Sequence, residues 1–162
     1  MLLRMTPAIR ALGLRYPATL SGRMLHQSST VLSIRAQRPG LHEITHEVRE
    51  FVAKSAMREG LLTLFCRHTS ASLVVQENAA PAASRDLERY FAHLAPEAAG
   101  YEHDDEGPDD MPAHLRSALT AAQLSIPVSE GRMLLGTWQG IFLFEHRRNT
   151  PVREIALHLI GE

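Results

Sequence analysis

Between Tyr101 and His114 the chain reads Y-E-H-D-D-E-G-P-D-D-M-P-A-H. The carboxylates Asp104, Asp105, Glu106, Asp109 and Asp110 stand between His103 and His114, and Gly107-Pro108 sets a turn between the two acidic clusters. Like charges at that density repel one another unless a bound cation, a cationic ligand or facing arginines sit among them. The same run also reads as a solvated loop that starts a helix, with Asp109 or Asp110 as the N-cap before Met111-Pro112.

Of the nine histidines, four fall where elements begin or end: His68, His103, His114 and His146. Loops can bring such residues together, whereas His26, His42, His46, His93 and His158 read as structural or solvated. Neutral imidazole binds borderline metals such as zinc, nickel or iron, and a neighbouring carboxylate completes the shell or orients a ring. An oxygen-rich magnesium site on Asp104, Asp105, Glu106 and Asp109 is the competing reading and would suit a diphosphate substrate. The twelve-residue calcium loop with its terminal glutamate does not fit.

Four further stretches carry side chains of chemical use. His68-Thr69-Ser70-Ala71-Ser72 sets a base beside hydroxyls, yet no G-x-S-x-G turn surrounds either serine, so phosphate binding or turn capping competes with covalent catalysis. Glu77-Asn78 places a carboxylate and an amide at a strand end, with Asn78 also an N-cap candidate. Gly136-Thr137-Trp138-Gln139-Gly140 holds the only tryptophan between glycines, as core or as a stacking face with an amide beside it. Arg147 and Arg148 follow, where one guanidinium can grip phosphate.

The elements that must position these groups follow from periodicity. A strand is expected from about Gln27 to Arg35, ended by Pro39-Gly40, then a helix capped by Thr45 with Val48, Phe51 and Val52 on one face and Gly60 as its stop. Residues 61–67 and 73–75 read as strands; Pro81 opens a helix with Leu87, Tyr90, Phe91 and Leu94 on one face, closed by Pro96. A short helix from about Pro112 to Ala122 follows the acidic loop. A hairpin over 123–135 and strands over 138–146 and 153–160 end the chain, so the fold class is α+β, an antiparallel sheet with a few helices.

With 162 residues and 44% hydrophobic content, one globular domain is expected. Cys66 is the only cysteine, which excludes an internal disulfide and fits a reducing compartment. No apolar run is long enough to span a bilayer, so no membrane partner is expected. Residues 1–42 hold six arginines and no acid, whereas residues 43–162 hold 11 basic against 18 acidic groups. That acidic body argues against nucleic-acid binding. Residues 1–26 are expected to be a disordered or mis-extended N-terminal segment, with the domain over 27–162. Their Arg-rich, acid-poor composition is that of a mitochondrial transit peptide, but 16 arginines against one lysine fit GC-rich coding, which favours Met24 as the start and a cytoplasmic protein. Neither a dinucleotide or P-loop motif nor a solenoid repeat is present.

Taken in order, H-T-S-A-S at 68–72, E-N at 77–78, H-D-D-E-G-P-D-D-M-P-A-H at 103–114, G-T-W-Q-G at 136–140 and the closing G-E resemble the YjbQ family over about Ser28 to Glu162. The resemblance implies a small α+β fold assembled as a homotrimer, with sites near subunit interfaces and a metal or anion held by the shared histidines, the metal being divalent, magnesium or a transition metal such as zinc. It also implies a weak thiamine-phosphate synthase activity, in which a thiazole phosphate nitrogen displaces diphosphate from a hydroxymethylpyrimidine diphosphate. On that reading Glu77, Asp105, Glu106 and His114 are catalytic; Thr69, Ser70, Asn78, Trp138, Gln139 and Arg147 bind a small phosphorylated metabolite; and His68, His103, His114 and His146 hold metal. A metal-dependent hydrolase and a non-catalytic metabolite-binding trimer are the alternatives. Asn149-Thr150 departs from the family pattern, where many members carry a glycine.

Overall fold

The computed structural model describes residues 24–162. Of the N-terminal segment expected over residues 1–26, residues 1–23 lie outside the described residues, and the first strand begins at His26.

Eight strands and three helices are formed: β1 His26–Arg35, β2 Gly40–Glu43, α1 Thr45–Ser55, β3 Gly60–Cys66, β4 Ala71–Glu77, α2 Pro81–Leu94, α3 Asp110–Leu119, β5 Gln123–Ser129, β6 Arg132–Met133, β7 Gln139–Glu145 and β8 Val152–Gly161. The strands make two antiparallel sheets, of order β1-β8-β3-β5-β6 and β2-β7-β4. The α+β class is thus present, with two curled sheets rather than one.

Period-2 patterning explains which side of each strand is buried. In β8, Arg153, Ile155, Leu157 and Leu159 point inward and their neighbours outward. They meet Leu62 and Leu64 of β3 and, across the gap between sheets, Leu73 of β4 and Ile141 and Leu143 of β7. Val48 and Val52 of α1 close that core. β7 is covered on both faces: Phe142 and Phe144 point the other way and pack with Leu41 against Leu87 and Phe91 of α2. Residues 140–145 are consequently buried throughout. Gly60 and Gly161 stand opposite each other where β3 pairs with β8; a Cβ at Gly161 would lie 2.0 Å from the Glu59 carbonyl oxygen.

Two capping expectations fail. Thr45 is buried because its hydroxyl donates to Glu43 Oε1 (2.7 Å) and accepts from the Ile141 N–H (2.9 Å), tying α1 to β7 instead of capping its own helix. The N-cap of α2 is Ala80 without a side-chain bond, while the Asn78 N–H donates to the Trp138 carbonyl (3.0 Å). The short strand β2, beginning at Gly40, is an addition to the elements that periodicity predicts. Of the face expected on α2, Leu87 and Phe91 pack inward whereas Tyr90 and Leu94 remain exposed.

Candidate metal centre

The acidic loop and α3 share one organising cation, Arg147, which follows β7. Its Nη1 meets Asp110 Oδ1 and Glu106 Oε2 (3.4 Å), Nε donates to Asp109 Oδ2 (3.2 Å), and Nη2 donates to the Glu106 carbonyl (2.8 Å). The Arg148 N–H also donates to Asp109 Oδ2 (2.8 Å), and its guanidinium pairs with Glu97. Burial pushes the Asp109 carboxyl up, but the Arg148 amide and the Arg147 charge outweigh it and hold Asp109 below the usual carboxylate range. Facing arginines, one of the three ways to tolerate this acidic loop, are thus in place. Arg147 is consequently committed to carboxylates in this arrangement, rather than open to a phosphate.

Gly107, with φ +107°, turns the loop so that its carbonyl accepts from the Asp110 N–H (3.1 Å), which starts α3. Asp110 is 2% exposed and sits one turn before His114. Its Oδ2 lies 2.8 Å from His103 Nε2 without forming an aligned hydrogen bond, and its Oδ1 lies 3.6 Å from His114 Nε2. His114 Nδ1 meets the Thr69 carbonyl at 3.1 Å. A carbonyl only accepts, so Nδ1 carries the proton and the Nε2 lone pair faces the cluster. One ligand atom from each of His103, Asp110 and His114 falls within 4.8 Å of the others. Two imidazoles and a buried carboxylate, with one oxygen left without an aligned partner, are a donor set that suits zinc, iron or nickel better than magnesium.

The other two boundary histidines lie apart from this cluster. His68 Nε2 accepts from the Glu154 N–H (2.7 Å), so its proton is on Nδ1 and no lone pair remains for a metal. Burial, with the Arg153 charge beside it, pushes His68 down. His146, 2% exposed, pairs with Ser72 through Nε2 (2.9 Å), and its Nδ1 is buried without a partner. Burial first, then Arg116 and Arg153, push it down to about 3.

Of the remaining predicted site residues, Thr69 is exposed beside His114, and the Ser70 carbonyl accepts from Arg153 Nη2 (3.2 Å). Asp105 is exposed and its side chain has no partner among the described residues. Glu77, Asn78, Trp138 and Gln139 lie at the other end of β7, about 20 Å away for a seven-residue strand. There Glu77, Trp138 and Gln139 line a depression of about 490 Å³. Within a single chain the predicted site residues therefore fall into two separate groups.

Sequence reasoning passes over Asp110 as a site residue, although D-M-P-A-H places it four residues before His114 on a helix, where two side chains share a face. It also passes over the ion pair of Glu145 and Arg153, bidentate at 2.6 and 2.7 Å and buried between the sheets. That pair fixes the end of β7: Glu145 Oε1 also accepts from the Arg147 N–H at 2.9 Å.

Comparison with known proteins agrees with this architecture. The family model described as UPF0047 protein YjbQ-like matches residues 30–162. A UPF0047 protein of Synechocystis sp. is 47% identical over 143 residues, covering 88% of this chain and 97% of the relative. UPF0047 protein YjbQ of Salmonella typhimurium is 44% identical over 140 residues, covering 86% and 100%. The crystal structure of a YbjQ-like protein of unknown function from Sulfolobus solfataricus superposes with a TM-score of 0.79 at 26% identity, over 86% of this chain and 100% of that one. A conserved hypothetical protein from Thermus thermophilus superposes with a TM-score of 0.70 at 34% identity, over 79% and 97%. This chain belongs to the YjbQ-like UPF0047 family.

Proposed function

We propose that the protein is a cytoplasmic metal-dependent hydrolase of a small substrate, with one divalent transition-metal ion held by His103, Asp110 and His114. The observation that carries this reading is the convergence of those three donors within 4.8 Å around an Asp110 oxygen that is buried without an aligned hydrogen bond. When bound, such an ion supplies Lewis-acid polarisation and activates water.

The chain's own residues do the rest. Thr69 holds the His114 ring in the tautomer that presents Nε2. Arg147 fixes one Asp110 oxygen and leaves the other toward His103. The His103 and His114 side chains are 48% and 32% exposed, so a substrate reaches the centre from solvent. Asp105 is an unpaired carboxylate of the same loop and suits proton transfer.

The thiamine-phosphate synthase reaction ranks second. It needs magnesium on the acidic loop, a phosphate grip from Arg147 and stacking on Trp138, but Arg147 faces Glu106, Asp109 and Asp110, and Trp138 is at the far end of β7. A homotrimer can bring those ends together between neighbouring chains. Val31, Leu61 and Phe65, exposed on the outer face of the five-stranded sheet, are the apolar surface such an assembly would cover.

The test loads purified protein with zinc, iron, nickel or manganese and assays ester, amide and phosphoester hydrolysis beside the thiamine-phosphate reaction. Metal-dependent hydrolysis lost in Asp110→Asn supports the proposal. Hydrolysis that persists unchanged in Asp110→Asn, or diphosphate release in the thiamine-phosphate assay alone, overturns it.

A further inference from the structure

The arginines available to an anion are not at the acidic loop. Arg49 on α1 and Arg132 on β6 line one cavity of about 580 Å³, together with Thr137, Gln139 and the apolar Val52 and Met133. Neither arginine has an ion-pair partner among the described residues, and no aspartate or glutamate lines the cavity. In a body with 18 acidic against 11 basic groups beyond residue 42, an acid-free cavity with two unpaired guanidinium groups is a local reversal of charge.

The uncharged polar groups of the lining point to the same class of ligand. Gln139 Oε1 is occupied by the Gly136 N–H (2.8 Å), which leaves its Nε2 donor. Thr137 adds a hydroxyl, so the cavity offers donors from several directions.

Both arginines stand on fixed elements. Arg49 is on α1, whose Val48 and Val52 are in the core. Arg132 follows a tight turn with Glu130 and Gly131 at positive φ. Glu59 pins that turn by accepting from Ser129 Oγ (3.0 Å) and the Glu130 N–H (2.9 Å). Two guanidinium groups lining one space can each offer paired N–H donors to phosphate oxygens.

We propose that this cavity binds the phosphate or diphosphate group of a small metabolite, independently of the metal centre. The proposal does not rest on the hydrolase reading, because the two sites are at opposite ends of β7 and share no residue.

Inorganic pyrophosphate is the probe, titrated in the presence of a chelator at fixed ionic strength and followed by calorimetry and by the fluorescence of Trp138, the sole tryptophan, which borders the cavity through Thr137 and Gln139. Saturable binding is expected, weakened about tenfold or more by Arg49→Ala and by Arg132→Ala. It is expected to be abolished in the double variant and unchanged in Asp110→Asn. Both arginines are exposed, and circular dichroism checks that the variants fold. Absence of saturation in the wild type, affinity within twofold of wild type in the double variant, or loss in Asp110→Asn instead would each overturn the proposal.

Discussion

Asp110 and His114 stand one helical turn apart on α3, with Asp110 Oδ1 3.6 Å from His114 Nε2. That spacing comes from the helix itself, while the third donor, His103, arrives from the loop before it. Arg147, just past the end of β7 and tied to it through Glu145, decides which Asp110 oxygen remains available. The candidate centre is therefore a helix turn, a loop and a strand end locked by one guanidinium.

Arg147→Ala should cost about 3 kcal/mol of stability, because it leaves the buried Asp110 and Asp109 carboxylates without their cation. Added zinc should recover part of that loss by supplying positive charge to the Asp110 carboxylate through its other oxygen. Urea denaturation with and without zinc measures both. A change of about 0.5 kcal/mol or less, the size of an ordinary surface substitution, would mean that Arg147 is not the organiser described.

Glu145 and Arg153 form a bidentate pair at 0% and 3% side-chain exposure. Removing either partner alone leaves a buried charge, so Glu145→Leu and Arg153→Met should each cost about 3–5 kcal/mol. The double variant should cost far less than the two combined, since no lone charge remains. Additive costs in that double-mutant cycle would show that the pair is not coupled.

His146 sets part of the acid limit of the fold. Its folded pKa of about 3 lies below the ordinary 6.5, because burial disfavours the charged ring. Between those values the unfolded chain binds a proton that the folded chain does not. Its contribution is therefore complete above pH 6.5 and is lost as pH falls toward 3, at up to about 1.4 kcal/mol per pH unit. His68 is shifted down as well and acts in the same direction. Urea titrations from about pH 7.5 to about pH 4.5 should give a shallower pH dependence in His146→Phe than in the wild type, and identical slopes would contradict this assignment.

Strands and helices are legible in the sequence where local pattern decides them. In β8, Arg153, Ile155, Leu157 and Leu159 form a period-2 set, and the inward face can be read from it directly. The short β2 is not legible, because its four residues are held by pairing with β7, a partner far along the chain. The same limit applies to the site. His103 and His114 are visible as metal-binding types, and facing arginines as one answer to the acidic loop. What local pattern does not carry is that Arg147 turns toward those acids, or that a backbone N–H from β8 occupies His68. Trp138 and Glu77 look like companions of the histidines only because a sequence does not show that β7 lies between them.

Elemental analysis of protein purified without a histidine tag tests the central assignment most directly, comparing the wild type with Asp110→Asn, His114→Ala and, as a distant control, Glu77→Gln. One transition-metal ion per chain in the wild type and in Glu77→Gln, falling at least tenfold in Asp110→Asn and His114→Ala, is the result expected. A wild-type protein that holds no transition metal even after incubation with zinc, or that keeps its full content in both variants, would contradict it.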